Sequence, residues 1–348
     1  MNFRAALYSL LMFAMLAASA FSIVSCSPDR QGGEQKAGSP SLMVFEPSAK
    51  PGDSRRGSAV PVLAAAENGV PDPIPASPHD ILYWPQQQWR NPRYEVFAWD
   101  RFPSILIFDT ADYEVQDRML KRIAFFAEKE GFRGSLARDE EIAGLHGWNA
   151  HDYSAADLAL FFQEAGDAGF PLNAEEIELR QILINAAIIR ETPEGLQGEG
   201  AVVSVSRESV QNLRVAFMAH EGFHGIFYID QDFRRLSAER WNRLAPAGQQ
   251  MFLTFLDDQD YDISVDIIII KEFGSFLLQQ DVSEAAFYFG TRIPARIENT
   301  AWHDANRGFR SSSGDGSYPQ FAGMFSAEAE VFSAYAEQRW GFAAGRVW

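Results

Sequence analysis

The chain has 348 residues, of which 47% are hydrophobic and 22% are charged, and its formal net charge is −17. This composition is that of a globular protein, with enough length for one large core or two small domains. The strong negative charge disfavours contact with a phosphate backbone, so we expect no nucleic acid partner.

Residues 1–25 have the features of an export signal. Arg4 provides a positive start, residues 5–21 are uncharged and mostly apolar, and the sequence Ile-Val-Ser then precedes Cys26, the one cysteine of the chain. The apolar stretch is too short, and too soon followed by polar residues, to indicate a transmembrane helix.

The segment Ile23–Cys26 resembles the lipobox of bacterial lipoproteins. The resemblance implies cleavage before Cys26 and attachment of a lipid to its sulfur. It also implies an extracytoplasmic location, with the chain anchored through this lipid to a bacterial membrane. An ordinary signal peptide with an incidental cysteine is the alternative.

The segment after the signal is rich in Ser, Pro, Gly and Ala and shows no apolar periodicity. We therefore predict a disordered tether over residues 26–78, beginning with the lipidated cysteine, and one folded domain over residues 79–348.

The first part of this domain predicts strands and amphipathic helices. The apolar run 104–108 indicates a buried strand, and a helix is predicted from Asp112 to Glu130. Ser154 and Asn173 are expected to cap two further helices. Two more strand-like pieces follow, 182–184 with 188–189, which could also continue the preceding helix, and 201–205.

The most informative segment is His220-Glu221-Gly222-Phe223-His224, which reads H-E-x-x-H. A helix is predicted from Arg207, capped by Ser206, to about Tyr228. On a helix both imidazoles lie on one face and can reach one metal ion, with Glu221 beside them. A metal-free buried helix is the alternative, but it would need other partners for these polar groups. Further helices are predicted near 237–245, 247–257, 263–280, 282–290 and 326–340.

The motif, its uncharged flanks and the preceding strand resemble the zincin group of zinc metallopeptidases. The resemblance implies an α+β fold, a mainly helical zincin-like domain with a small sheet preceding the HExxH helix. It implies one zinc ion bound by His220 and His224, Glu221 as the general base, and a peptide or protein substrate. The strand before the helix would line the cleft and pair with the substrate backbone.

Two residues compete as the third zinc ligand. Asp230 lies six residues after His224, as in metzincins, but the glycine that those enzymes need three residues after the second His is replaced by Phe227. Glu272 lies in a long apolar segment that resembles the glutamate helix of gluzincins, and it is the ligand we predict. Glu272 could instead lie on a polar helix edge beside Lys271, and Asp230 could orient an imidazole.

Other residues are candidates for supporting roles. The resemblance implies an oxyanion donor, for which Tyr228, Tyr261, Tyr288 and His303 are candidates. A second metal site from His146, His151 and Asp152 is conceivable, although a surface loop is the interpretation we favour there.

The predicted function is membrane-anchored, zinc-dependent peptide hydrolysis. The alternatives are a different zinc amidohydrolase acting on cell-envelope material and a non-catalytic binding lipoprotein with a zincin fold.

Overall fold

The computed structural model of this protein describes residues 69–298 and 318–348. The predicted signal segment, Cys26 and His303 lie outside these residues. Within them, no helix combines the length and the apolar character needed to cross a membrane.

Strands form one mixed sheet and one hairpin in the described region. The sheet has the order β1-β2-β3-β7-β4, in which β1–β2 and β3–β7 are parallel and β2–β3 and β7–β4 are antiparallel. Strands β5 and β6 pair as the hairpin. The strand bounds are β1 Ile74–Ala76, β2 Tyr94–Trp99, β3 Ile105–Thr110, β4 Ala150–Ser154, β5 Ile189–Thr192, β6 Gly195–Gly198 and β7 Ala201–Ser206.

Helices make up most of the remaining structure. Their bounds are α1 Pro78–Tyr83, α2 Tyr113–Glu128, α3 Asp139–Ile142, α4 Ala155–Asp167, α5 Ala174–Asn185, α6 Gln211–Ile229, α7 Gln231–Arg243, α8 Pro246–Asp257, α9 Asp266–Leu278, α10 Val282–Phe287, α11 Ile293–Glu298 and α12 Pro319–Trp340. A short 3₁₀ turn covers Gln86–Gln88, and one π turn, Tyr288–Arg292, joins α10 to α11.

The sheet is buried on both faces. In β3, Ile105 and Ile107 contact one core, while Leu106 and Phe108 contact the other, as the two-residue period of a strand requires. Helices α2, α4 and α5 cover the second face, and the helices from α6 to α12 supply most of the first core. The prediction of a mixed, mainly helical α+β fold with its sheet before the HExxH helix is confirmed.

Side-chain caps explain several helix starts. Asp112 accepts a hydrogen bond from the Val115 amide, and Ser154 and Asn173 cap α4 and α5 as predicted. Helix α2 ends at Glu128, two residues before the predicted end.

Two predicted boundaries are wrong, and one alternative that the sequence leaves open is decided. Strand β1 lies inside the predicted tether, because its residues pair with β2. Of the piece 182–184 with 188–189, residues 182–184 continue α5, as the helical alternative allowed, and Ile189 begins strand β5. Helix α6 begins at Gln211, not at Arg207, because Ser206 is the last residue of β7 and pairs with Thr110.

The surface loop predicted around His151 is a buried edge strand. Residues Ala150–Ser154 form β4, which pairs antiparallel with β7. Strand β7 is therefore interior, with β3 on one side and β4 on the other. The strand that directly precedes α6 has no free edge for a substrate, so this part of the prediction is also wrong.

Two glycines let α6 approach its neighbours closely. A Cβ atom on Gly225 would lie 3.0 Å from Ile105 Cγ2 and 3.4 Å from Val203 Cγ1, both on the sheet. One on Gly222 would lie 2.9 Å from Val347 Cγ2 in the C-terminal segment. The absence of side chains at these positions thus sets the depth at which the HExxH helix lies in the core.

Candidate metal centre

Helices α6 and α9 bring the two histidines and the predicted glutamate together. Nε2 of His220 lies 3.0 Å from Nε2 of His224. Oε2 of Glu272 lies 3.3 Å from the first of these nitrogens and 3.4 Å from the second. All three residues are buried, with Glu272 fully so. The alternative of an exposed polar helix edge for Glu272 and Lys271 is wrong.

The three atoms have the spacing of a tetrahedral zinc site. Ligand atoms at roughly 2.0–2.2 Å from a tetrahedral ion lie about 3.3–3.6 Å from one another. The two distances to Glu272 agree with this range, and the distance between the imidazoles is slightly shorter. Neither oxygen of Glu272 accepts a hydrogen bond from the described residues. A buried carboxylate facing two imidazole nitrogens therefore fits a cation better than an apolar core.

A serine contacts His224 at Nδ1, the ring nitrogen that does not face Glu272. Nδ1 of His224 lies 2.9 Å from the Ser275 hydroxyl, which comes from the same helix as Glu272. Burial lowers the pKa of His224, while Asp152 and Glu272 act in the opposite direction. The imidazole is therefore neutral at pH 7, the state in which Nε2 can bind a metal and Nδ1–H can donate to the hydroxyl.

Glu221 lies beside the ligands, as predicted from its position in the motif. One of its carboxyl oxygens is within 4.8 Å of ligand-capable atoms of His224 and Asp152. Burial, together with Asp152 and Glu272, raises the pKa of Glu221 well above its usual range. A cation held nearby would act in the opposite direction and favour the carboxylate that a general base requires.

A buried lysine forms a second charged cluster next to the ligands. Nζ of Lys271 lies 3.0 Å from Oε2 of Glu128, 2.8 Å from Oδ2 of Asp152 and 3.3 Å from Oε1 of Glu272. Burial alone would lower the pKa of Lys271, but Asp152 and Glu128 raise it well above its usual range. The ammonium group is therefore charged, and it is shared among three carboxylates.

The carboxylates of this cluster are also held by aromatic residues. The Trp148 indole N–H donates to Oε1 of Glu128 at 2.6 Å, and the Tyr228 hydroxyl donates to Oδ2 of Asp152 at 2.5 Å. These contacts leave Glu128 and Asp152 fixed beside Glu272, although neither was predicted as part of this site. Asp152 was considered only for a separate metal site.

The predicted oxyanion donors differ in their positions. The proton of Tyr228 is used by Asp152. Tyr288 stacks on Phe276, whose ring contacts His220. Tyr261 is buried against Trp148. Burial raises the pKa of Tyr261 most, and the nearby carboxylates of Glu272 and Glu128 raise it further. Tyr261 is thus close to Glu272. Among the described residues, no carboxylate accepts a hydrogen bond from its hydroxyl.

Asp230, the competing third ligand, has a structural position. Its Oδ1 accepts hydrogen bonds from the Asp232 and Phe233 amides at the start of α7, and its Oδ2 lies 3.3 Å from Nε of Arg339. It belongs to none of the metal-capable groups found among the described residues.

The separate metal site that was conceivable for His146, His151 and Asp152 is not assembled among the described residues. Nδ1 of His151 lies 2.6 Å from the Tyr153 hydroxyl. His146 is exposed, and only Asp152 joins the ligand-capable groups.

Comparisons with known proteins add no relative to this picture, because no family model, curated protein or solved structure matches the chain. A functional assignment for this chain therefore depends on the geometry of the site.

Proposed function

We propose that this chain is a zinc-dependent metallopeptidase, anchored outside the cytoplasm through a lipid on Cys26, which hydrolyses peptide bonds. One observation carries the proposal. His220, His224 and Glu272, from two helices, place three ligand atoms 3.0–3.4 Å apart in a buried position. Two nitrogens and one carboxylate oxygen form the donor set of many hydrolytic zinc sites.

The charges of the site support a bound cation. Four buried carboxyl groups, those of Glu128, Asp152, Glu221 and Glu272, surround one ammonium and two histidines. Even with Glu221 neutral, as its raised pKa favours, the other carboxylates outnumber the one ammonium group of Lys271. A zinc ion held by His220, His224 and Glu272 would supply Lewis-acid chemistry, acidifying a water molecule and polarising a carbonyl group.

The residues of the chain would then divide the remaining work. Glu221 takes the proton of the attacking water and returns it to the leaving amine, as its place beside the ligands allows. Ser275 holds the His224 ring in place through Nδ1, on the side opposite the Nε2 atom that would bind the ion. Tyr261 is the preferred donor to the developing oxyanion, because the proton of Tyr228 is used by Asp152.

Strand β4 is the edge that a peptide substrate would use. It is the last strand of the sheet, and Asp152 at its centre contacts the site. The Ala155 amide donates to the Gly200 carbonyl on the β7 side. Because hydrogen-bonding directions alternate along an antiparallel strand, the backbone groups of Asp152 point away from β7. An extended peptide could therefore add to this edge.

Metal content and hydrolysis test the proposal together. The full chain, purified in detergent and reconstituted with zinc, should retain one zinc ion and cleave casein or members of a peptide library. Glu221→Gln should keep the zinc and lower turnover about 10²–10⁴-fold. Glu337→Gln, an exposed change of the same type on α12, should alter neither property. A chain without zinc, or unchanged turnover in Glu221→Gln, would contradict the proposal.

The proposed anchor has its own test. In a bacterial host given radiolabelled fatty acid, the chain should incorporate label and fractionate with membranes. Cys26→Ser should abolish labelling. Labelling that persists in Cys26→Ser would show that the lipid is attached elsewhere.

A further inference from the structure

We propose that Lys271 supplies the second cation of a carboxylate-bridged pair, so that the centre holds one metal ion and excludes another. The inference rests on the zinc site of the proposed function and concerns the number of ions in it. The lysine side chain, on this interpretation, is a fixed replacement for a second metal.

Glu272 faces two cation positions with its two oxygens. Oε2 is directed to the Nε2 atoms of His220 and His224, while Oε1 lies 3.3 Å from Nζ of Lys271. A carboxylate whose two oxygens serve two separate cations is in the bridging arrangement of two-metal sites. Here one of the two positions already contains an ammonium group.

The lysine position has the composition of a metal site in its own right. Ligand-capable oxygens of Glu128, Asp152 and Glu272 lie within 4.8 Å of one another, and all three residues are buried. The ammonium group donates hydrogen bonds to Glu128 and Asp152, and it lies 3.3 Å from the nearer oxygen of the third carboxylate, that of Glu272. The three carboxylates thus surround one cation, as they would surround a metal ion.

The surrounding contacts keep these carboxylates in place independently of the lysine. Trp148 donates to Glu128 and Tyr228 donates to Asp152, while the buried Glu272 lies on α9 with Oε2 near the two imidazole nitrogens. Removal of the ammonium group would leave three buried carboxylates preorganised and without a cation. An all-oxygen set of this kind suits a hard divalent cation such as Mn²⁺, whereas the histidine position suits zinc.

The two positions can be separated with two metals. Wild type and Lys271→Met, which keeps the length of the side chain and removes its charge, are loaded with zinc and then titrated with Mn²⁺. Bound zinc is measured by mass spectrometry, and bound Mn²⁺ by loss of the electron paramagnetic resonance signal of the free ion. We expect one zinc and no tightly bound Mn²⁺ in wild type, and one zinc plus one Mn²⁺ in Lys271→Met.

Two further variants locate the second ion. Lys129→Met removes another buried lysine, whose Nζ lies over the Trp148 ring and not among the three carboxylates. It should bind zinc and no Mn²⁺, like wild type. Glu128→Gln added to Lys271→Met should lose the Mn²⁺ and keep the zinc, because one of the three oxygen ligands is removed.

Each outcome supports or overturns the inference. If circular dichroism shows that Lys271→Met folds only when Mn²⁺ is added, this result would also support the inference. Two results would overturn the inference: a folded Lys271→Met that binds zinc but no Mn²⁺, and a Lys271→Met that does not fold at any metal concentration. Tight Mn²⁺ binding by zinc-loaded wild type would overturn it as well. Absence of zinc from wild type would count against the proposed function instead.

Discussion

Ser275 hydrogen-bonds His224 across the interface between α9 and α6, with its hydroxyl 2.9 Å from Nδ1. Glu272 lies three residues earlier on α9, so one helix face supplies a candidate metal ligand and the group that contacts another candidate ligand. The pairing orients the imidazole ring and couples the positions of the two helices at the site.

Ser275→Ala should therefore weaken zinc binding without removing a ligand. We expect the dissociation constant for zinc to rise about 10-fold or more, the usual effect of losing such a supporting hydrogen bond. Competition with a chromophoric chelator measures this constant. Ser237→Ala removes another buried hydroxyl, one without a hydrogen-bond partner in the described region, and should leave it unchanged. Equal affinities in wild type and Ser275→Ala would contradict the proposed orientation of His224.

The choice between the two predicted third ligands can be tested directly. Glu272→Ala should weaken zinc binding more than the roughly 10–100-fold that loss of a supporting contact costs. Asp230→Ala should leave zinc binding unchanged and lower the free energy of unfolding by about 1 kcal/mol, because it removes the cap of α7. A larger loss of zinc affinity in Asp230→Ala than in Glu272→Ala would reverse the assignment.

The depth of α6 in the core predicts opposite effects for two glycine substitutions. Gly225→Ala should lower the free energy of unfolding, because the added methyl group meets Ile105 and Val203 and overpacking costs about 1–3 kcal/mol. Gly323→Ala lies in α12 with open space around its Cβ position, and it should gain up to about 1 kcal/mol of helix propensity. Urea unfolding measures both, and a stabilised Gly225→Ala would contradict the close approach of α6 to the sheet.

The buried His151 should make the folded chain less stable in mild acid. Burial lowers the pKa of His151 to about 3 in the folded chain, although Asp152 acts in the opposite direction. The unfolded side chain titrates near about 6.5, so between these values the unfolded chain binds more protons than the folded one. Stability is therefore greatest above the unfolded pKa and falls as the pH decreases towards the folded pKa.

The effect should be measurable at pH 5. Relative to pH 7, His151 should lower the free energy of unfolding by about 2 kcal/mol, in addition to the effects of other groups. Urea unfolding of the metal-free chain at both pH values gives the total change. His151→Gln, which cannot titrate, should show a change smaller by this amount. The same pH dependence in both proteins would mean that His151 accepts a proton without unfolding.

That His220, His224 and Glu272 lie together could be predicted from the sequence because their constraints are local. The spacing of His220 and His224 fixes one helix face, and a carboxylate in the apolar segment of α9 needed a partner. Asp152 and Glu128 could not be predicted in the same way. They reach the site through β4 and α2, and their places depend on strand pairing and helix packing that local periodicity does not encode.

The errors in strand prediction have a related physical cause. Ala150–Ser154 carries polar side chains that a loop would also carry, and it is buried because its polar groups meet Lys271, Tyr153 and Tyr228 in the folded chain. Ser206 is suited to a helix cap and to a strand end, and its pairing with Thr110 across the sheet decides between them.

The bond between Lys271 and Asp152 joins residues 119 positions apart. Loop closure over such a distance comes late in folding, since its entropic cost precedes any gain from the contact. The charged cluster around Lys271 is consequently incomplete in partly folded chains that lack either β4 or α9. Completion of the charged cluster around Lys271 would therefore report the docking of β4 against α9, a step that the three proposed zinc ligands on α6 and α9 do not require.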